Sequence, residues 1–361
     1  DKEFAILTPN GVELRNEDGE KIEKEIYHVT WNIDAAEKGG FEDFMLKEIH
    51  EQPYAISETL RGRVEGTDRI ILPELDAIHD KFKTFNKAYF VACGTAYHAG
   101  LVGKTVIEKF AKIPVEIDIA SEFRYRNPII DEKTLCIFVS QSGETADTLA
   151  ALRLSKLHGA RTLAISNVIG STITREADYT IYTHAGPEIA VASTKAYTSQ
   201  VCLIAMLGIY FAELLGSYSK DELEKLKADI LDLLSKIEAV LDNSKEIKTF
   251  ASKVYTQKDM FFLGRGTDYN VALEGSLKLK EISYIHSEAY AAGELKHGPI
   301  ALIENGVTVI GIITNKELVE KTISNMQEVI TRGAKTLIIT NQILPNNNFG
   351  YVINIPETNE L

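Results

Sequence analysis

Short apolar runs alternate with longer amphipathic stretches along the chain from residue 89 onward. Runs of this length, bounded by turn residues, are typical of buried strands, and the stretches between them have helical spacing. Helices are predicted from the Cys93–Thr95 turn to Ala111 and over Thr145–His158. The predicted strands are Tyr89–Ala92, Val115–Ile117, Leu135–Val139 and Thr162–Ile165. Strands that alternate with helices predict an α/β fold with a doubly wound parallel sheet.

The second half of the chain repeats the first. Three matches occur in the same order at nearly one offset: Gly159–Asn167 with Gly333–Asn341, Val91–Gly94 with Phe261–Gly264, and Ser121-Glu122 with Ser287-Glu288. A repeat of this length predicts two similar α/β domains. We place them at residues 41–219 and 244–361, joined by a charged helix over residues 220–243 in which apolar residues keep helical spacing.

The first 40 residues follow a different pattern. Glu3–Leu14 and Lys21–Trp31 predict short strands around polar turns, and Phe41–Leu60 predicts one helix. Two hairpin-like strands have no core of their own. Residues 1–40 are therefore interpreted as the edge of another domain and its linker.

Charge and cysteine content narrow the function classes. Lys and Arg total 39 against 52 Asp and Glu, a net charge of −13, so no nucleic-acid or membrane partner is expected. Three cysteines without a CxxC pair predict reduced thiols and no metal site. The uncharged run Ala196–Ala212 is short for a membrane span and predicts a buried helix. With no signal peptide visible at the start, a soluble cytoplasmic protein is expected.

The segment Ser140–Thr145 (SQSGET) directly follows an apolar strand and opens a helix. Ligands bind at the carboxyl ends of parallel strands, where a helix N-terminus offers free N–H groups to an anion. Three hydroxyls suit a phosphate ester, and the absence of a lysine argues against a nucleotide P-loop. The alternative is that these residues only cap the helix. The equivalent loop of the second repeat, Thr314–Lys316, lacks the hydroxyl cluster, so only the first repeat is expected to bind the anion.

Acid–base chemistry is indicated further along the chain. Glu274, Lys278 and Glu281 share one helix face, which by spacing alone also fits a solvated salt-bridge face. The following stretch, Tyr284–Pro299, contains two histidines, of which His297 is a candidate proton carrier. Enediol isomerisation of a sugar needs such groups. Ser193, just before the apolar helix, either caps that helix or contacts a ligand.

Three motifs resemble one family: SQSGETADTL (Ser140–Leu149), VASTKAYTSQ (Val191–Gln200) and the stretch Ala272–Ile303. They are similar to the isomerase portion of the glutamine–fructose-6-phosphate aminotransferases, which consists of two sugar-isomerase (SIS) domains. The first motif is typical of any SIS domain, whereas the third is specific to this family. The resemblance runs from Phe41 to the end, and Glu3–Trp31 resembles the tail of the family's glutaminase domain.

The resemblance implies roles for individual residues. Glu281 would transfer a proton between C1 and C2 of the sugar, Lys278 would assist it, and His297 would open the ring. In the family that histidine comes from the neighbouring subunit, so a homodimer is expected, and no cofactor is implied. The substrate phosphate and sugar would be bound by Thr95, Ser140, Gln141, Ser142, Thr145, Val191 and Ser193.

The implied reaction converts fructose 6-phosphate and ammonia from glutamine to glucosamine 6-phosphate, the first step of the hexosamine (UDP-N-acetylglucosamine) pathway. The sequence departs from the family in three respects: Ala96 stands where a serine is common, the glutaminase nucleophile is absent, and the tail with the Schiff-base lysine would follow Leu361. The second domain is therefore expected to be truncated.

Two other functions remain open at this point. One is a phosphosugar isomerase that does not aminate its substrate. The other is a non-catalytic phosphosugar-sensing module, which would not need Glu281, Lys278 and His297 together.

Overall fold

The computed structural model describes residues 3–24, 37–64, 66, 69–345 and 349–359. The strands are β1 (Glu3–Thr8), β2 (Gly11–Asn16), β3 (Lys21–Ile22), β4 (Lys87–Ala92), β5 (Val115–Ile119), β6 (Thr134–Ser140), β7 (Arg161–Ser166), β8 (Tyr179–Tyr182), β9 (Asp259–Gly264), β10 (His286–Ala291), β11 (Thr308–Ile313), β12 (Lys335–Thr340) and β13 (Tyr351–Asn354). The α-helices are α1 (Phe44–His50), α2 (Gln52–Leu60), α3 (His79–Phe82), α4 (Gly94–Ala111), α5 (Ala120–Phe123), α6 (Ala146–Leu157), α7 (Thr172–Glu176), α8 (Lys195–Leu215), α9 (Lys220–Asp242), α10 (Ser244–Val254), α11 (Thr267–Ser283) and α12 (Val319–Thr331). Short 3-10 helices are formed by Pro73–Ile78, Glu294–His297 and Pro299–Leu302.

Two five-stranded sheets have the same strand order. The first is β5-β4-β6-β7-β8 and the second β10-β9-β11-β12-β13, with parallel pairing throughout. Helices cover both faces, so the central strands β6 and β11 are buried along their whole length, as continuous apolar runs require. The predicted fold, two similar doubly wound α/β domains, is confirmed.

The sequence repeat corresponds to the structural repeat in two of its three matches. Gly159–Asn167 and Gly333–Asn341 lead into β7 and β12, which are the fourth strands of their sheets. The second match lies at β4 and β9, again at the same place in both sheets. The third match is wrong, because Ser121-Glu122 lies in α5 whereas Ser287-Glu288 lies within β10.

Two predicted elements differ from the structure. Val115–Ile117 is part of a strand, but β5 is an edge strand and is only partly buried. Phe41–Leu60 is not one helix, because α1 ends at His50 and α2 begins at Gln52, with Pro53 in its first turn. Proline has no N–H to continue a preceding helix but is well suited to starting a new one.

The N-terminal segment contains the predicted hairpin. β1 and β2 pair antiparallel, and the short strand β3 pairs with β2. The predicted strand Lys21–Trp31 is observed only as Lys21–Ile22, and its continuation from residue 25 lies outside the described residues.

The first domain builds its larger core between the sheet and the helices α4 and α8. By length and composition, α8 is apolar enough to cross a membrane, yet 67% of its apolar window is buried inside the protein. The predicted helix over residues 220–243 is α9, which begins with a capping box of Ser219 and Glu222. Its Ile230 is buried against the first domain's core, so α9 packs on that domain while leading to the next. Each sheet falls within one of the two domains that we placed from the sequence, and the limits themselves stay a prediction.

The equivalent helices of the two domains, α4 and α11, pack against each other. Asn270 Nδ2 donates a hydrogen bond to the carbonyl of Leu101 at 3.1 Å across this contact. One face of α11 thereby lies beside the carboxyl ends of β4 and β6.

Candidate functional site

A cavity of ≈ 250 Å³ lies where β4 and β6 end. Of the ten site residues predicted from the sequence, all but His297 line it: Thr95, Ser140, Gln141, Ser142, Thr145, Val191, Ser193, Lys278 and Glu281. These residues come from both domains, since Lys278 and Glu281 lie on α11. The fold therefore brings the proposed phosphate-binding and acid–base groups to one place.

The loop after β6 depends on a glycine. Gly143 has φ of +68°, and a Cβ at this position would lie 2.1 Å from Oγ of Ser171. Ser140 Oγ accepts a hydrogen bond from the N–H of Gly143 at 3.0 Å, and Ser142 Oγ accepts one from the N–H of Glu144 at 3.2 Å. The bond from Ser140 thus supports a tight turn at Gly143, whose conformation only glycine adopts without strain.

The hydroxyls of this loop do not serve α6 as a conventional cap. Thr145 occupies the N-cap position, but its side chain makes no capping hydrogen bond. Its Oγ1 lies 3.2 Å from Oγ of Ser140 instead. The alternative that Thr145 only caps the helix is therefore wrong. The first N–H groups of α6 and the positive end of its dipole favour an anion here.

The charged face of α11 is buried against α4 at Glu274, whereas the Glu281 side chain at its other end is 35% exposed. Glu274 is 5% exposed; one of its oxygens accepts a hydrogen bond from Thr95 Oγ1 at 3.0 Å, and the other lies 2.7 Å from His98 Nδ1. Lys278 Nζ donates to Thr95 Oγ1 at 2.9 Å and forms an ion pair with Glu281. Because the Thr95 hydroxyl donates to Glu274, it can accept from Lys278. Glu274 thus holds the Thr95 hydroxyl in place, and that hydroxyl holds Lys278.

Besides the loop after β6 and the face of α11, the cavity is lined by residues from the stretch 188–195. Ser193 Oγ donates to Glu188 at 2.7 Å, and the other oxygen of Glu188 accepts the N–H groups of Thr194 at 2.8 Å and Ala196 at 3.2 Å. The N-cap residue of α8 is Thr194, so Ser193 is not its cap, and the carboxyl group of Glu188 performs that role. Burial raises the pKa of Glu188 above its ordinary value of 4.5, and the nearby Glu48 adds to this rise.

Several residues of the cavity were not predicted. Cys93, Thr148, Glu188 and Gln200 line it as well. Gln200 is 2% exposed, and its Oε1 has no hydrogen-bond partner within the described part of the chain. A signal for Gln200 existed, since it is a polar residue inside an otherwise apolar helix. Glu188 carries no local pattern that would mark it.

His297 is the predicted residue that the structure does not bring to the cavity. It lies exposed at the end of a 3-10 turn, Glu294–His297. The dimeric arrangement implied for it stays a prediction.

The second domain fills the corresponding loop with its own carboxyl group. The N–H of Thr314 donates to Asp268 at 2.9 Å, its hydroxyl donates to the other oxygen, and the N–H of Asn315 contacts Asp268 at 3.4 Å. Asp268 is buried at the start of α11. The prediction that only the first repeat offers its loop to an external anion thus has a physical basis, because an internal anion occupies the second.

The cysteines differ in environment. All three are free; Cys136 and Cys202 are buried, and burial raises the pKa of each thiol to about 12. Cys93 is half-buried at the cavity. Over the residues that the structure describes, no group of three or more His, Cys, Asp or Glu side chains is arranged to hold a metal ion.

Comparisons with known proteins agree with this geometry. The SIS domain family model matches residues 81–210 and 253–346. The glutamine–fructose-6-phosphate aminotransferase (isomerizing) of Clostridium tetani is 61% identical over 337 residues, which are 93% of this chain and 55% of that protein. The enzyme of the same name from Clostridium perfringens is 58% identical over the same shares. The chain therefore spans a little over half the length of these curated relatives.

A solved structure gives a match of nearly full length. The C-terminal domain of glucosamine-fructose-6-phosphate aminotransferase from Francisella tularensis is 39% identical, with a TM-score of 0.84. The match covers 90% of this chain and 91% of that one.

Proposed function

Because the chain belongs to the SIS-domain family, as the isomerase portion of a glutamine–fructose-6-phosphate aminotransferase, we propose that it converts fructose 6-phosphate and ammonia to glucosamine 6-phosphate. The observation that carries this proposal is the shared cavity. A hydroxyl-rich loop at a helix N-terminus and the Lys278–Glu281 pair line it together. A phosphosugar isomerase needs both parts within the length of one substrate.

The loop Ser140–Thr145 would bind the phosphate. Its hydroxyls and the free N–H groups of α6 supply donors, and the helix dipole adds positive potential. Among the described residues that line the cavity, Lys278 is the one basic side chain, and it lies on α11 and contacts Thr95 instead of this loop. Binding of the phosphate would thus rest on neutral donors. Thr95, Val191 and Ser193 would contact the sugar, and the unpartnered Oε1 of Gln200 offers an acceptor for a hydroxyl.

The acid–base pair would carry the isomerisation. Ammonia replaces the C2 carbonyl oxygen of the open-chain sugar as an imine, with release of water. Glu281 then takes a proton from C1 and returns it to C2, so that C1 becomes the aldehyde and C2 carries the amine. Lys278, held between Glu281 and Thr95, would handle the proton of the C1 hydroxyl. His297 from a neighbouring subunit would open the ring, which requires a homodimer.

The remaining parts of the proposal concern the whole protein. The curated relatives are longer, and their name includes glutamine, so ammonia would come from a glutaminase domain attached to this portion. We place the enzyme in the cytoplasm, at the first step of the hexosamine pathway.

One experiment separates this function from its alternatives. The chain is incubated in D2O with fructose 6-phosphate, with and without ammonium ions, and the sugar phosphates are followed by NMR and mass spectrometry. Solvent deuterium in the sugar together with glucosamine 6-phosphate formed only with ammonium supports the proposal. Deuterium exchange without the amino sugar indicates a plain phosphosugar isomerase, for which the Lys278–Glu281 pair suffices. Binding without exchange indicates a sensing module.

A further inference from the structure

The junction of α1 and α2 contacts a segment of the chain that lines the cavity. Its residues Glu48 and Glu51 are one helical turn apart, and both reach the segment Glu188–Lys195, which we call the wall segment. Ala190, Val191 and Ser193 of this segment line the cavity. The junction itself contributes no residue to the cavity lining.

Glu48 holds the first part of the wall segment. It is 2% exposed, and its Oε1 accepts the N–H groups of Ile189 at 2.6 Å and Ala190 at 3.1 Å. Its Oε2 is buried and has no hydrogen-bond partner among the described residues. A buried carboxyl group with one free oxygen is costly, so its two backbone contacts are the interactions that compensate for burial.

Glu51 holds the other end. Its carboxyl group pairs with Lys195 Nζ at 2.7 Å, and the lysine side chain is 5% exposed. The wall segment is thus fixed at both ends by two neighbouring acids from a distant part of the chain.

Among the described residues, the hydrogen bonds that reach the wall segment from other parts of the chain are those of Glu48 and Glu51. The wall segment lies between β8 and α8 and belongs to no strand or helix before Lys195. The carboxyl group of Glu188 accepts hydrogen bonds from Ser193, Thr194 and Ala196, which lie at the end of the segment and the start of α8. Val191, in the middle of the segment, is fully exposed. The distance of the wall segment from the Ser140–Thr145 loop therefore depends on the α1–α2 junction.

We propose that Glu48 is a positioning residue for the sugar half of the site. It sets the place of Ala190, Val191 and Ser193 through the backbone N–H groups of the wall segment, and it leaves the Ser140–Thr145 loop unaffected. This inference rests on the proposed function, because the probe for the sugar half of the site is the sugar phosphate assigned there.

The experiment compares two probes by calorimetry: fructose 6-phosphate, which contacts both halves of the site, and inorganic phosphate, which reaches the loop alone. Glu48→Ala removes both hydrogen bonds to the wall segment. We expect it to weaken fructose 6-phosphate binding at least about tenfold, because two bonds to a charged group are lost, and to change phosphate binding less than about twofold. Glu48→Gln keeps an acceptor in place and should restore most of the affinity.

The matched control is Asp178→Ala. Asp178 also accepts a backbone N–H, that of Thr162 at 2.9 Å, but it does not line the cavity. This variant should lower the melting temperature without changing either affinity. If Glu48→Ala does not fold, Glu48→Asp keeps the charge, shortens the side chain by one carbon and should give a smaller loss of the same kind.

Unchanged fructose 6-phosphate binding in the folded Glu48 variants would overturn the inference, as would an equal loss for both probes, which is the mark of a general structural role. A wild-type chain that binds inorganic phosphate but shows no preference for fructose 6-phosphate would overturn the proposed function instead, and the inference about the sugar half with it.

Discussion

Replacing Ser142 and Thr145 together by alanine tests whether the loop after β6 binds phosphate. Neither hydroxyl is needed to hold the helix, because Thr145 makes no capping hydrogen bond and the one hydrogen bond of Ser142 Oγ to a described residue comes from the N–H of Glu144, at 3.2 Å. Ser140 is left unchanged, since its Oγ accepts from Gly143 and supports the turn. The double variant therefore removes two donors and keeps the backbone.

The expected effect follows from the charge of the ligand. A hydrogen bond to a charged group contributes roughly 1.5–3 kcal/mol, so two of them contribute about 3–6 kcal/mol if they are independent. The free-energy contributions of neighbouring groups rarely add up fully. We expect the lower end, a loss of about 10²-fold in affinity for fructose 6-phosphate. Fructose itself, which lacks the phosphate, should lose less than about threefold.

Calorimetric titrations with fructose 6-phosphate, fructose and inorganic phosphate measure the effect. Thr249→Ala is the matched control, because its hydroxyl lies on α10 and donates to the carbonyl of Lys245 at 2.8 Å. Equal losses of affinity for fructose and fructose 6-phosphate would refute the assignment of Ser142 and Thr145 to the phosphate. So would an unchanged affinity for inorganic phosphate in a double variant that melts at the wild-type temperature.

Three further predictions address other parts of the molecule. Glu281→Gln should lower solvent deuterium exchange into the sugar by about 10²–10⁴-fold, since it removes the base, and NMR should show affinity within about tenfold of wild type. Asp268→Ala should lower the unfolding free energy by roughly 1–3 kcal/mol in urea melts, because the donors of Thr314 lose their acceptor; an unchanged midpoint would contradict this. Burial raises the pKa of Glu188, so the folded state holds that proton more tightly than the unfolded state. This group therefore favours folding at low pH, and that contribution is lost as pH rises through its folded pKa. Relative to Glu188→Gln, the wild type should lose stability in thermal melts as the pH rises above the ordinary pKa of 4.5, and a constant difference would contradict the assignment.

The fold was predictable because its strands are local patterns. A strand covered by helices on both faces must be apolar along its length, which is why Leu135–Val139 could be identified as part of β6. Exposure at a sheet edge is not a local property, and β5 was therefore expected to be more buried than it is. The break between α1 and α2 did have a local signal in Pro53.

The site residues likewise divide into those marked by a local sequence pattern and those that depend on tertiary contacts. The Ser140–Thr145 loop is contiguous in sequence, so its chemistry could be interpreted from the residues alone. Helical spacing placed Glu274, Lys278 and Glu281 on one face, but only the contact with α4 decides whether that face is solvated. Glu48 is more than a hundred residues from the backbone that it holds and has no pattern of its own.

The two repeats carry different residues at one equivalent helical position, and this difference affects whether the neighbouring loop is free to bind an anion. Thr95 and Asp268 are each the second residue of equivalent helices, α4 and α11. In the first domain this position carries a hydroxyl, which lines the cavity opposite the Ser140–Thr145 loop. In the second it carries a carboxyl group, which accepts the N–H and hydroxyl of the corresponding residue, Thr314. A loop of N–H donors at a strand end requires an anion or water to satisfy it. The second domain satisfies that requirement internally through α11, and from the same helix Lys278 and Glu281 reach the cavity of the first domain, where we propose that a ligand supplies the anion.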